Sequence, residues 1–158
     1  MLIFKWLGVG TILFCGVLAG VCFAAFERKK LAQAEGFLSL LRFIRVQIEC
    51  FSMPVTQILS ECDRGVLLAC GTERVPADLT GLLGDVRLYL PEEMCGLLAE
   101  LSARLGAGYR EEQLRCMDYY IARLSPYCDA LRADLLKRER MALLLPLTLC
   151  AALILLLW

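Results

Sequence analysis

Two hydrophobic textures divide the chain. From Trp6 to Phe26, and again from Met141 to Trp158, no charged residue occurs. Between these runs apolar residues recur every three or four positions, the period of an amphipathic helix. No alternating strand pattern persists. In LAQAEGFLSLLRFIRVQIECF the stripe is Leu31, Ala34, Leu38, Leu41, Ile44 and Ile48. Nothing breaks the chain between Phe26 and Leu31, so the first apolar run is expected to continue into this helix. Gly36 weakens it by about 1 kcal/mol relative to alanine.

Ser52 is expected to cap the next helix, with Pro54 in its first turn. That helix should run from Met53 to Arg64, burying Val55, Ile58, Leu59 and Cys62, and end on a left-handed Gly65. VLLACGTERVP reads as a short apolar turn or helix and a loop. Pro76 opens a third helix, Ala77 to Leu88, carrying Leu79, Leu82, Leu83 and Val86. Pro91-Glu92-Glu93 opens a fourth with its acids at the positive helix end. It carries Met94, Leu97, Leu98 and Leu101 and stops at LGAG, 105–108. The fifth starts at Arg110 with Leu114, Met117, Ile121, Leu124, Cys128, Leu131 and Leu135. Ser125-Pro126 either kinks or breaks it.

The uncharged ends suit a bilayer, whose hydrocarbon core needs roughly 20 helical residues. Trp6–Phe26 is long enough, and Met141–Trp158 is at the short end. Arg28-Lys29-Lys30 and Lys137-Arg138-Glu139-Arg140 flank the middle segment on its two sides. Positive flanks stay cytoplasmic, so the middle should be cytoplasmic and both ends outside. The late position of the first cluster disfavours a cleaved signal peptide. Trp158 suits the far interface. Gly16 and Gly20 form a GxxxG through which the first span could meet the second span or another protomer, leaving a homo-oligomer open.

The expected organisation is a transmembrane helix at 1–26, a cytoplasmic domain at 27–140 and a second transmembrane helix at 141–158. The fold class is all-α: an antiparallel helical bundle on two membrane legs.

Composition then removes chemistry. All 17 acids and all but one of the 17 bases (Lys5 excepted) fall in the middle segment, which is near neutral. No nucleic-acid partner is implied. The chain has no histidine. Histidine-based nucleophile activation, general bases and metal ligands are thereby lost. Its 9 cysteines contain no CxxC and three lie in the apolar runs, so they read as small apolar residues in a reducing compartment. The acid pairs Glu92-Glu93, Glu111-Glu112 and Asp129/Asp134 sit at helix starts or on polar faces, where dipole and solvation account for them. The tyrosines 109, 119, 120 and 127 read as core or rim. No enzyme, metal or cofactor is expected. The partner-binding candidates are Arg110, Glu111 and Glu112 on the fifth helix and Arg42 with Arg45 on the first.

The order of these features resembles the stage III sporulation protein AB family of endospore-forming bacteria nearly end to end. The likeness lies in an apolar span closing in ERKK, a helix of the type LxxLLRFIRVQIECFSMPVTQIL and the Ser52-Met53-Pro54 turn. LSARLGAGYREEQLRCMDYYIARL adds Leu105, Gly106, Glu111, Glu112 and Gln113, and a basic stretch before an apolar end completes it. The sequence departs from that pattern at Leu101-Ser102, Tyr109-Arg110 and Pro126, and residues 66–90 are short. The resemblance implies a membrane platform in the channel apparatus between mother cell and forespore. Its soluble domain would be similar to those of type II secretion and type IV pilus platform proteins. Its partners would be the bilayer, a cytoplasmic secretion-type ATPase and other channel membrane proteins. The family offers no catalytic residues. The rivals are a generic two-span adaptor and a cysteine-based membrane redox sensor.

Overall fold

A computed structural model describes residues 2–51, 53–106 and 108–157. The fold is all-helical: α1 (Leu2–Phe51), α2 (Val55–Ser60), α3 (Arg64–Cys70), α4 (Leu79–Asp85), α5 (Glu92–Arg104) and α6 (Arg110–Leu157). No strand occurs among the described residues. The chain forms two compact units. One holds both ends, Met1–Lys29 and Leu131–Trp158; the other is Lys30–Ala130.

In the end unit, Gly20 is buried and Gly16 half-buried. Large apolar side chains are exposed around them, including Phe14, Val17, Leu18, Val21, Phe23 and Phe26 on α1 and Met141 and Leu144 on α6. Among the described residues no helix is long and apolar enough to cross a membrane. The spans expected at 1–26 and 141–158 therefore rest on the sequence of those runs. Trp158 and Ser52, the expected interface anchor and cap, lie outside the described residues.

The Lys30–Ala130 body is organised by α1. Every position of its expected stripe, from Leu31 to Ile48, is buried. So are Gln33, Gly36, Phe37 and Leu40, on a second face. A helix buried on two faces is a central one, and the reason is at Gly36. A Cβ there would stand 2.7 Å from the carbonyl carbon of Ala69 and 2.8 Å from the nitrogen of Cys70. The backbone of α3 thus lies directly against α1, and only a residue without a side chain allows it. Next to this crossing, the Gln33 amide donates to the carbonyls of Cys70 (3.0 Å) and Arg87 (3.1 Å), and its oxygen accepts from the Tyr89 N–H (2.7 Å). On α6 the stripe buries Met117, Leu124, Cys128 and Leu131, with Tyr120 added, while Leu114 and Ile121 are half-buried.

Three boundaries differ from the sequence reading. The helix expected over Met53–Arg64 is two helices, because Asp63 restarts the chain: its carboxylate accepts from the Gly65 N–H at 3.1 Å. Gly65 is accordingly in the first turn of α3, and the left-handed cap is Gly71 at φ 104°. There a Cβ would also press on Val86 and Gln33. The third helix is shorter than Ala77–Leu88, since Asp78 caps it through the Gly81 N–H at 2.7 Å and the chain is extended again at Val86. Of the two readings left open at Pro126, a break is excluded: α6 runs through it, and through Pro146 as well. Each removes one backbone donor, which a helix supported on either side tolerates.

Candidate functional site

A cleft of about 550 Å³ lies in the body where five helix ends converge. Ile48 comes from the end of α1, Met53, Pro54, Val55 and Thr56 from the start of α2, and Asp78, Leu79 and Thr80 from the start of α4. Ser102, Leu105 and Gly106 close α5, and Arg110 and Gln113 open α6. Helix ends meet here because turn residues gather: Pro54, the Asp78 cap and the left-handed Gly106 at φ 91°.

The polar groups of the cleft are mostly committed. The Asp78 carboxylate caps α4, the Ser102 hydroxyl donates to the Ala99 carbonyl at 2.8 Å, and the Gln113 amide donates to Gly108 at 3.1 Å. The Arg110 guanidinium donates to the Ile48 carbonyl at 3.2 Å and to the Glu49 carbonyl. It therefore caps the negative end of α1 with a cation. This lining can hold a segment by shape and hydrogen bonds. Among the described residues no group of three or more cysteines and carboxylates is placed to hold a metal ion.

The five partner-binding candidates separate into two kinds. Arg45 bridges α1 and α6 through Asp118 at 2.5 Å and also pairs with Glu49 at 2.6 Å. Arg110, as above, closes the same two helices. Both are joints of the body. Arg42, Glu111 and Glu112 are exposed. Replacing Arg110 by alanine is expected to lower stability by roughly 1–2 kcal/mol, the scale of a charge-assisted bond to a helix end. Lysine should recover part of this, and Arg42→Glu, on an exposed position inside α1, should leave the thermal midpoint nearly unchanged. Calorimetry of the three variants checks it.

Four thiols of the body have the opposite of a reactive environment. Burial pushes Cys70 up to about 12 and raises Cys62, Cys95 and Cys116 as well. Thiolate chemistry needs a lowered value. The same burial predicts an alkaline weakness. Unfolded Cys70 ionises near 9.0, whereas the folded residue keeps its proton to about 12. Below the lower value the residue adds no pH dependence. As pH rises between the two values stability falls, by up to about 1.4 kcal/mol per pH unit. The decline of the thermal midpoint from pH 8 to 10.5 should be shallower in Cys70→Ala than in the wild type, although that variant starts lower.

The cleft walls at Thr56, Thr80 and Ser102 and the Gln33 junction carry no motif. Their only sequence signal is a polar residue, Gln33, inside an apolar stretch. In comparisons with protein families, curated proteins and solved structures, none matches this chain.

Proposed function

We propose that this chain is a non-enzymatic membrane platform: a cytoplasmic helical body, held by two apolar legs, that works by contact. The observation that carries the reading is the division of the molecule. Both uncharged ends fall in one compact unit, and the body, with most of the charge, forms a second. The exposed phenylalanines and leucines of the end unit are suited to lipid, as a soluble surface would hide such a patch. The burial of Gly20 and half-burial of Gly16 support their role as the close-contact face of the first span. The resemblance to the stage III sporulation protein AB family implies a platform in the channel between mother cell and forespore, which would lie in the mother-cell membrane. There it would couple a secretion-type ATPase to other membrane proteins, with Arg42, Glu111 and Glu112 as exposed charged contacts. A generic two-span adaptor is the alternative. The raised thiols weigh against a redox sensor.

The test uses Cys50, which is exposed on α1 within the body. In a variant keeping only this cysteine, an impermeant maleimide should label nothing in intact cells and label fully after lysis. Labelling from outside would overturn the topology. Detergent-solubilised full-length chain should also capture a cytoplasmic secretion-type ATPase. Charge reversal at Arg42, Glu111 and Glu112 should weaken that capture while the protein stays folded, the two changes in the first turn of α6 costing about 1 kcal/mol each at most.

A further inference from the structure

On α6 the residues Arg115, Tyr119 and Arg123 stand four apart, so they form one stripe about 12 Å long. Arg115 and Arg123 are exposed, and Tyr119 is 54% exposed. The Arg123 guanidinium lies over the Tyr119 ring, 5.8 Å from its centroid. Tyr119 in turn meets Tyr120 edge to face, with centroids 5.2 Å apart. Tyr120 is buried, which fixes the base of the arrangement. Beside the stripe is a shallow depression of about 320 Å³, lined by Arg104, Glu112, Arg115, Cys116, Tyr119 and Tyr120. Arg104, from α5, reaches it while paired at 2.8 Å with Glu100, both side chains being more than half exposed.

The arginines of the body are not used alike. Arg45 and Arg110 are spent on carboxylates and helix-end carbonyls. Among the described residues, Arg115 and Arg123 have no carboxylate within ion-pairing distance. Two planar guanidinium groups on either side of an exposed tyrosine suit carboxylates, and the tyrosine rings and Cys116 in the depression suit an apolar neighbour. Tyrosine and arginine are also the residues that dominate protein contacts.

We propose that this stripe docks an acidic segment of a partner protein. Carboxylates of the segment are held by Arg115 and Arg123, and an apolar side chain enters the depression against Tyr119, Cys116 and Tyr120. A peptide is favoured over an anionic bilayer because Glu112 lines the depression and Glu100 is paired with Arg104 at its side. They repel a uniformly negative surface, whereas a segment can place its carboxylates between them. The proposal rests on the reading of the body as a contact module and adds a second contact with its own place and chemistry.

The probe is a fluorescent 12-residue peptide of Glu-Glu-Phe and Glu-Glu-Leu repeats, titrated onto the full chain in neutral detergent micelles. The wild type should bind it, with affinity falling as salt rises. The matching Gln peptide should bind at least tenfold more weakly. Arg115→Glu combined with Arg123→Glu should weaken binding at least tenfold while circular dichroism is unchanged, and Tyr119→Ala should weaken it several-fold. Arg74→Glu, an exposed arginine outside the stripe, should change little. Equal binding of the two peptides, or wild-type binding by a folded double variant, overturns the proposal. So does a double variant whose only defect is in binding phosphatidylglycerol vesicles, which would assign the stripe to lipid. If the ATPase is not captured while the peptide result holds, the platform reading fails and the docking stripe stands. If capture succeeds and the peptide result fails, the reverse holds.

Discussion

Gly36→Ala is expected to destabilise the body by about 2 kcal/mol or more, against the rule for helix interiors. Propensity alone favours alanine by about 1 kcal/mol. Steric contact decides the sign. The added methyl would stand 2.7 Å from the Ala69 carbonyl carbon and 2.8 Å from the Cys70 nitrogen. These are backbone atoms and cannot rotate away, so α3 has to move off α1. Overpacking of this kind costs roughly 1–3 kcal/mol, and the displaced α3 also uncovers Leu67 and Cys70, which are buried beside it. Gly36→Leu should prevent a cooperative thermal transition. Gly96 supplies the contrast. It is inside α5 with nothing within 4 Å of its would-be Cβ. Gly96→Ala should therefore raise the thermal midpoint by a few degrees. If both alanine variants were stabilised, the close crossing of α1 and α3 would be wrong.

That crossing also shows what periodicity could and could not reveal. Spacings of three and four located the stripe Leu31–Ile48 and the buried faces of α5 and α6, because those faces bury long apolar side chains. The same spacings are silent on Gly36. A glycine in a helix looks like a defect until the chain that passes over it is known, and that chain, α3, is 33 residues further along at Ala69. The misplaced cap has the same origin. Gly65 and Gly71 are both plausible helix ends in the sequence. Asp63 decides between them by capping a new helix at Arg64, a choice made by one side-chain oxygen. The partner-binding candidates are charges on the polar sides of the first and fifth helices, and position alone does not separate Arg110 and Arg45, which bind their own fold, from Arg115 and Arg123. The ion pairs do. The cleft was not legible at all, since its walls come from five helix ends with no common motif.

Gln33 carries the second large effect. It is 3% exposed, and its one side chain serves three backbone groups: the carbonyls of Cys70 and Arg87 and the N–H of Tyr89. It thereby ties the end of α3 and the segment after α4 to α1. Gln33→Leu keeps the volume and removes all three partners at once. An orphaned buried group costs about 1–3 kcal/mol, so the loss should be about 3 kcal/mol, with the Tyr89 amide exchanging with solvent much faster. Gln33→Glu is the more diagnostic change. The nitrogen that donates to two carbonyls becomes an oxygen, and when ionised it faces them with charge. Burial and those carbonyls raise the folded pKa of such a carboxyl above its unfolded value near 4.3. The protonated form, able to donate once, is then the better tolerated one. The deficit relative to the wild type should be largest at neutral pH and should shrink as pH falls through the raised folded value, being smallest below about 4.3. Thermal midpoints of the two proteins compared from pH 7 to pH 4 measure this directly. A gap that stays constant over that range would mean that position 33 is not held between the two carbonyls. A Gln33→Leu protein as stable as the wild type would mean that the junction of α1 with α3 is held by the apolar contacts alone.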